Sequence, residues 1–298
     1  MVAQHQYATA GALRTALETR LLERSRRDAV DLHRLRRQVA FDRLLARMFD
    51  ANLPGRDGWV LKGGYALEMR FHRARATKDL DLTVRVTSIG PTPPDDLAAA
   101  LRERLQLAAS VELADFFVFN VGEASLELNQ APEGGSRFPI DARLDGRSFV
   151  KFHVDLGVGD EVIEPVDRIV GDDWLAFAGI PTIAVPTLSA EQHWAEKLHA
   201  YTLPRDGATN SRVKDLVDLV LLIELQAMSP TRIHVAVATT FARRGTHAVP
   251  TDLPPPPSAW ERPFRALAAE CGIVHTLTSA YENVVAYWRS LPERSEAR

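Results

Sequence analysis

The chain has 298 residues, enough for one large or two ordinary domains, and its 46% hydrophobic and 25% charged content is globular. A net charge of −3 excludes a whole-molecule attraction to nucleic acid, and a single cysteine, Cys271, excludes an internal disulfide and suits a reducing compartment. The N-terminal MVAQHQYATAGALRT has no apolar signal core, and the most apolar run, Leu216 to Leu225, is interrupted by Asp218 and too short to span a bilayer, so a soluble cytoplasmic protein is expected.

Residues 9–24 and 28–50 read as two amphipathic helices, the second setting Leu32, Leu35, Val39, Leu44 or Leu45, and Met48 near one side. Between Arg14 and Arg47 ten arginines stand against five acidic residues, a local excess of positive charge. They read either as solvated helix faces or, at Arg26, Arg27, Arg34, Arg36 and Arg37, as a surface that tracks a nucleic-acid backbone.

The next stretch, Trp59 to Val84, carries the most chemistry. A short apolar strand (Trp59, Val60, Leu61) enters a Gly63-Gly64 turn, a helix starts at Tyr65, and Arg70, Arg73, Arg75 and Lys78 lead into Asp79-Leu80-Asp81-Leu82. Side chains alternate along a strand, so Asp79 and Asp81 share a face, roughly 7 Å apart. A glycine turn lets backbone N–H groups approach an anion, and a helix start adds its dipole. Two carboxylates beside such a turn suit Mg²⁺ or Mn²⁺ together with a polyphosphate. Lys62 and Lys78 flank the unit as further candidate phosphate-binding groups.

Pro91 to Pro94 reads as a loop and Asp95–Leu107 as a helix. Strands are expected at Val111–Val121, Ser125–Leu128, Arg137–Leu144 and Phe149–Leu156, with Asp145-Gly146 as a hairpin dipeptide between the last two. In the last of these Phe149, Lys151, His153 and Asp155 share one parity and Val150, Phe152, Val154 and Leu156 the other, apolar one. The domain boundary is expected near Gly179–Pro186, giving domains 1–180 and 181–298. From Leu188 the pattern is helical, at about 189–202, 210–226, 230–243, 260–271 and 276–290. Ser189 with Gln192 has capping-box spacing, and Pro254–Pro257 makes a stiff connector. His193, Lys197 and Tyr201 form one stripe of the first of these helices. Arg212, Asp215 and Leu219 form a stripe of the second, with Asp218 close by, and Lys197 can pair with Asp215 or Asp218.

The order Gly63-Gly64, basic helix, Asp79-x-Asp81 resembles the nucleotidyltransferases of the DNA polymerase β superfamily. The wording GGYALEMR…TKDLDL is similar to that of the AbiEii/AbiGii-type toxins of abortive-infection and toxin–antitoxin systems. The resemblance covers three blocks, 59–84, 149–160 and 189–219. It implies an α+β fold, a nucleotidyltransferase-type mixed sheet with flanking helices followed by a helical C-terminal domain that completes the active-site cleft. It also implies that Asp155 joins Asp79 and Asp81 as a metal ligand and helps deprotonate the attacking hydroxyl, with Asp141 as the rival. Lys197 would contact nucleotide phosphates and Asp215 would be needed for activity. Where the superfamily commonly has a Gly-Ser turn this chain has Gly63-Gly64, so amides, Lys62 or nearby arginines must replace the serine hydroxyl.

The reaction so implied moves a nucleoside monophosphate from an NTP to a hydroxyl of RNA, the tRNA 3′ end by family analogy, under control of a separately encoded antitoxin. Two alternatives share the core: a small-molecule nucleotidyltransferase of the antibiotic-modifying kind, and a nucleotide-binding module without catalysis. An acidic acceptor pocket would favour the former, and loss of a metal ligand the latter.

Overall fold

The computed structural model describes residues 6–50, 53, 56–71, 73–90, 92–128, 130–204 and 212–291. Pro91, expected in a loop, and Asn210 and Ser211, expected at a helix start, lie outside these residues. The chain divides into two compact units, one of residues 1–69, 76–160 and 168–187 and the other of residues 70–75, 161–167 and 188–298. No helix among the described residues is long and apolar enough to cross a membrane.

The first unit is α+β. Helix α1 (Ala10–Asp28) is capped by the Thr9 hydroxyl, and α2 (Leu32–Met48) by the Asp31 carboxylate. Strand β1 (Trp59–Lys62) runs straight into α3 (Gly63–Arg70), and β2 (Asp79–Val84) returns antiparallel to β1. Then come α4 (Pro94–Ala109), β3 (Phe117–Val121), the short β4 (Leu126–Glu127), β5 (Gly135–Leu144), β6 (Arg147–Val158), β7 (Asp167–Val170) and β8 (Ala184–Thr187). The sheet order is β3-β5-β6-β2-β1-β8-β7 with β4 on β5, and it is mixed, since β2 lies parallel to β6. Phe41 of α2 anchors the core, its ring edge-on to Tyr65 at 4.7 Å and to Phe152 at 4.8 Å.

Two strand expectations are corrected. Strand β3 starts at Phe117 rather than Val111, because the fully buried Asp115 carboxylate is taken by Arg43 at 2.6 Å and by Arg47 at 2.7 and 2.9 Å. Phe116 also has a positive φ of 57°, which no strand accommodates. In β6 the parity is broken near its start. Asp145 and Gly146 form the expected tight turn, both with positive φ (55° and 66°), and Leu144 pairs with Arg147 and Arg143 with Ser148. Ala142, however, pairs with Val150, so Phe149 is one extra residue, a β-bulge. The bulge turns Phe149 into the core, where its ring meets Phe117 at 5.3 Å, instead of onto the face of Lys151 and Asp155.

The second unit is built on α5 (Ala190–Thr202), α6 (Val213–Leu225), α7 (Pro230–Arg244), α8 (Glu261–Cys271) and α9 (Leu277–Ser290), the five helices expected. Ser189 caps α5, but Gln192 closes no capping box: its amide donates to the Glu161 carbonyl at 2.5 Å and accepts from the Ile163 amide at 3.0 Å. Trp194 is fully buried and stacks on Trp288 at 5.7 Å. The proline connector is pinned by two phenol groups, Tyr201 donating to the Pro254 carbonyl at 2.7 Å and Tyr281 to that of Leu253 at 2.8 Å.

Candidate active site

Sheet register sets side chains in rows on one face of the first unit. One row runs Arg137, Asp155, Asp81, Lys62; the next runs Pro139, His153, Asp79; a third runs Asn120, Asp141, Lys151. Adjacent strands are about 4.8 Å apart, so Asp155 faces Asp81 directly and Asp79 lies one row away. Asp141 is two rows from Asp81, and its carboxylate is taken by Arg143 at 3.0 Å and the Ser148 hydroxyl at 2.6 Å. The hydrogen bonds and the neighbouring Arg143 and Lys151 charges overcome its partial burial and hold it below the usual carboxylate range.

Gly63 explains how Asp81 fits. It has a φ of +69°, and a Cβ there would stand 2.2 Å from Asp81 Oδ2 and 2.7 Å from Asp81 Cβ. Only glycine lets the Asp81 carboxylate lie against the first turn of α3, whose leading N–H groups have no partner within the helix. Gly64 follows, buried, as the second residue of that helix. Lys62, on the other side of the turn, forms an ion pair with Asp160.

Arg137 sits among the carboxylates. Its guanidinium forks onto Asp155, Nε to Oδ1 and Nη2 to Oδ2 both at 2.7 Å, and Nη2 reaches Asp79 Oδ2 at 3.3 Å. The Asp155 hydrogen bonds, with the charges of Asp155, Asp79 and Asp81, hold Arg137 above its ordinary range. On its other side Asp79 Oδ1 is 3.3 Å from His153 Nδ1. Among the described residues no three acid, histidine or cysteine side chains converge as a ready-made cage for a metal. The donors nevertheless fit a hard divalent cation. Asp79 and Asp81 supply carboxylate oxygens beside a cradle that a Cβ would fill, and phosphate oxygens can complete the shell. Asp155 can join it only by exchanging Arg137.

The second unit carries the other candidates, Lys197 and Asp215. Lys197 Nζ lies 3.1 Å from Asp215 Oδ1 and 2.8 Å from Asp218 Oδ2, and Arg75 forks onto Asp218 at 3.0 and 2.8 Å. Burial opposes the Lys197 charge, but Asp218 and Asp215 outweigh it and raise its pKa; burial likewise opposes the Asp218 charge, which Lys197 and Arg75 outweigh in turn. The sequence expectation of a Lys197 pair with these aspartates therefore holds, as a buried network and not a surface pair. His193, one turn before Lys197, is fully buried with neither ring nitrogen hydrogen-bonded, and burial with the Arg70 and Lys197 charges keeps it neutral.

The model of the AbiEii nucleotidyltransferase toxin family, of type IV toxin–antitoxin systems, matches residues 43–286. The chain belongs to the AbiEii family. No curated protein matches its sequence. Among solved structures it is similar to MenT4, a nucleotidyltransferase toxin from Mycobacterium tuberculosis H37Rv, at 16% identity and TM-score 0.52 over 93% of this chain and 99% of that one. A second likeness is to an H. pylori protein assigned as a candidate nucleotidyltransferase, at 14% identity and TM-score 0.42 over 85% and 92% of the two chains. The MenT4 likeness is one of fold.

In this AbiEii toxin the side chains that sequence reading passed over are those whose role depends on register. Arg137 belongs to no motif; without the bulge at Phe149 the pairing that starts at Leu144 and Arg147 would set Arg137 opposite Val154 and not Asp155. His153 belongs to no motif, yet its ring nitrogen lies 3.3 Å from Asp79. Several N-terminal arginines prove to be paired, Arg34 with Glu68 at 2.6 Å and Arg36 with Glu18 at 2.7 Å. These two brace α2 rather than face solvent as a phosphate track.

Proposed function

We propose that this AbiEii toxin transfers a nucleoside monophosphate from an NTP to the 3′ hydroxyl of an RNA acceptor, with the tRNA 3′ end placed first. The acceptor oxygen bonds to the α-phosphorus, the α–β bridging P–O bond breaks, and pyrophosphate leaves. A bound Mg²⁺ or Mn²⁺ would neutralise triphosphate charge and favour the ionised hydroxyl. Asp79 and Asp81 would hold the cation, and the N–H groups at Gly63 and Gly64, with Lys62 and Lys78, would bind phosphate oxygens. Arg137 orients Asp155 to take the proton of the acceptor hydroxyl. Lys197, aimed by Asp215 and Asp218, adds a phosphate-binding cation, a role carried over from the family resemblance. A cytoplasmic site of action and a separately encoded antitoxin complete this reading.

The observation that carries it is the row of Asp155 and Asp81 beside Asp79, with Asp81 packed against Gly63, where a Cβ would stand 2.2 Å from Asp81 Oδ2. Incubation with each radiolabelled NTP, total RNA and Mg²⁺ tests it. Label on RNA that needs both the divalent ion and the Asp79–Asp81 pair is expected. Label on an aminoglycoside-like acceptor in place of RNA would refute the acceptor, and no transfer to any acceptor would refute the activity.

A further inference from the structure

Beside Asp79 the first unit has an open groove of about 710 Å³ over β6, β5 and the end of β3. Its volume lies within the ~300–1,000 Å³ typical of ligand sites. Four basic side chains line it, Arg37 of α2, Lys78, Arg137 of β5 and Lys151 of β6. Arg137 is committed to Asp155 and Asp79, and Asp141 in the groove wall to Arg143 and Ser148. Arg37, Lys78 and Lys151, by contrast, make no ion pair among the described residues, and Arg37 Nε is buried without a hydrogen-bond partner. Between these charges lies the half-buried Pro139, and the ring of His153, 44% exposed, lies next to Asp79.

The groove and the glycine turn lie on opposite flanks of β2. Gly63 follows β1 and opens α3, while β6, β5 and β3 follow one another on the other side of β2. A triphosphate at the Gly63-Gly64 turn would reach the groove only at its Lys78–Asp79 edge, and the rest of the groove, over β6, β5 and the end of β3, stays open to an acceptor. Unpaired cations with a ring for stacking are the features by which proteins hold single-stranded nucleic acid.

We infer that this groove binds the unpaired 3′-terminal nucleotides of the RNA acceptor. Arg37 and Lys151 contact backbone phosphates, and His153 stacks against a base next to the reacting hydroxyl. This rests on the RNA reading above and locates the acceptor within it, on β5 and β6 rather than along the N-terminal arginines.

The test uses the full chain as wild type and as an Arg37→Gln/Lys151→Gln variant, with Lys151→Gln alone as a fold control because Lys151 is exposed on its strand. Binding of a non-hydrolysable NTP and of a single-stranded RNA oligonucleotide with a 3′ hydroxyl is measured across a range of NaCl concentrations. NTP affinity is expected to stay within twofold, while RNA affinity drops at least tenfold at low salt. The slope of log K against log salt should flatten by about 1.4, at ~0.7 per phosphate contact for a single strand. Loss of NTP affinity with RNA affinity intact would overturn the inference and assign the groove to the nucleotide. RNA labelling by wild type and double variant at equal rates and equal salt dependence would overturn it while the RNA reading stands. A wild type that binds NTP but neither binds nor labels RNA would overturn both.

Discussion

Replacing Gly63 by alanine tests the core of the site, because two physical effects act there and can be separated. The first is backbone strain: at φ of +69° an L-residue costs roughly 1–2 kcal/mol. The second is steric. The new Cβ would lie 2.2 Å from Asp81 Oδ2, which a rotation could relieve, but also 2.7 Å from Asp81 Cβ, which only movement of β2 or α3 can relieve. Overpacking of that kind costs about 1–3 kcal/mol more. Gly90 supplies the comparison, since its φ is +72° with nothing within 4 Å of a built Cβ. Gly90→Ala should show the strain alone, and Gly63→Ala should be less stable by the further 1–3 kcal/mol in urea unfolding. Displacing Asp81 by even ~1 Å should cut transfer about 100-fold. A Gly63→Ala variant no less stable than Gly90→Ala, with normal transfer, would refute the packing of Asp81 against the turn. In an Asp81→Gly background the steric part of the Gly63→Ala cost should vanish, leaving the strain.

Asp79→Ala and Asp81→Ala should each abolish transfer; Asp79→Ala should keep stability within ~1 kcal/mol of wild type, since Arg137 keeps its fork on Asp155 and the Arg137–Asp79 pair removed is partly exposed. Thermal unfolding and the transfer assay measure both, and near-normal transfer in either variant would refute the metal assignment. Lys197→Ala leaves two carboxylates of 6% and 1% exposure without their shared cation and should destabilise the fold by ~3–5 kcal/mol. Transfer per folded molecule should fall as well, and an unchanged value would make Lys197 purely structural. Asp42 gives a pH dependence unrelated to catalysis. It is half-buried, accepts from the Tyr65 hydroxyl at 2.5 Å and Trp174 Nε1 at 2.9 Å, and the loss of solvation outweighs these bonds to raise its pKa to about 7, with Asp172 adding to the rise and Arg43 opposing it. A carboxyl raised in the folded state stabilises most at low pH and loses that contribution as pH rises from ~4 through about 7, by at most ~4 kcal/mol. Urea unfolding at pH 5 and 8 should show this loss in wild type and its absence in Asp42→Asn; equal slopes would refute it.

The features legible in the sequence were those set within a single element. Helix periodicity placed α5 to α9, the Asp145-Gly146 dipeptide placed the β5–β6 turn, and strand alternation put Asp79 and Asp81 on one face beside a glycine-led helix. Each follows from backbone geometry over a few neighbouring residues. What tertiary structure decided was register and burial. Strand β8 pairs with β1 through a single register pair, Leu61 with Thr187, and so short and distant a pairing has no periodicity to read. The Lys197–Asp215–Asp218 group could equally have been a solvated surface pair; the packing of α5 and α6 in the second unit, with Arg75 brought to Asp218, made it a buried network. One extra residue at Phe149 decided that Arg137 faces Asp155 and not the core. A side-chain period of two makes every partner across a sheet depend on a one-residue shift, and that shift is chosen by which ring the core can bury.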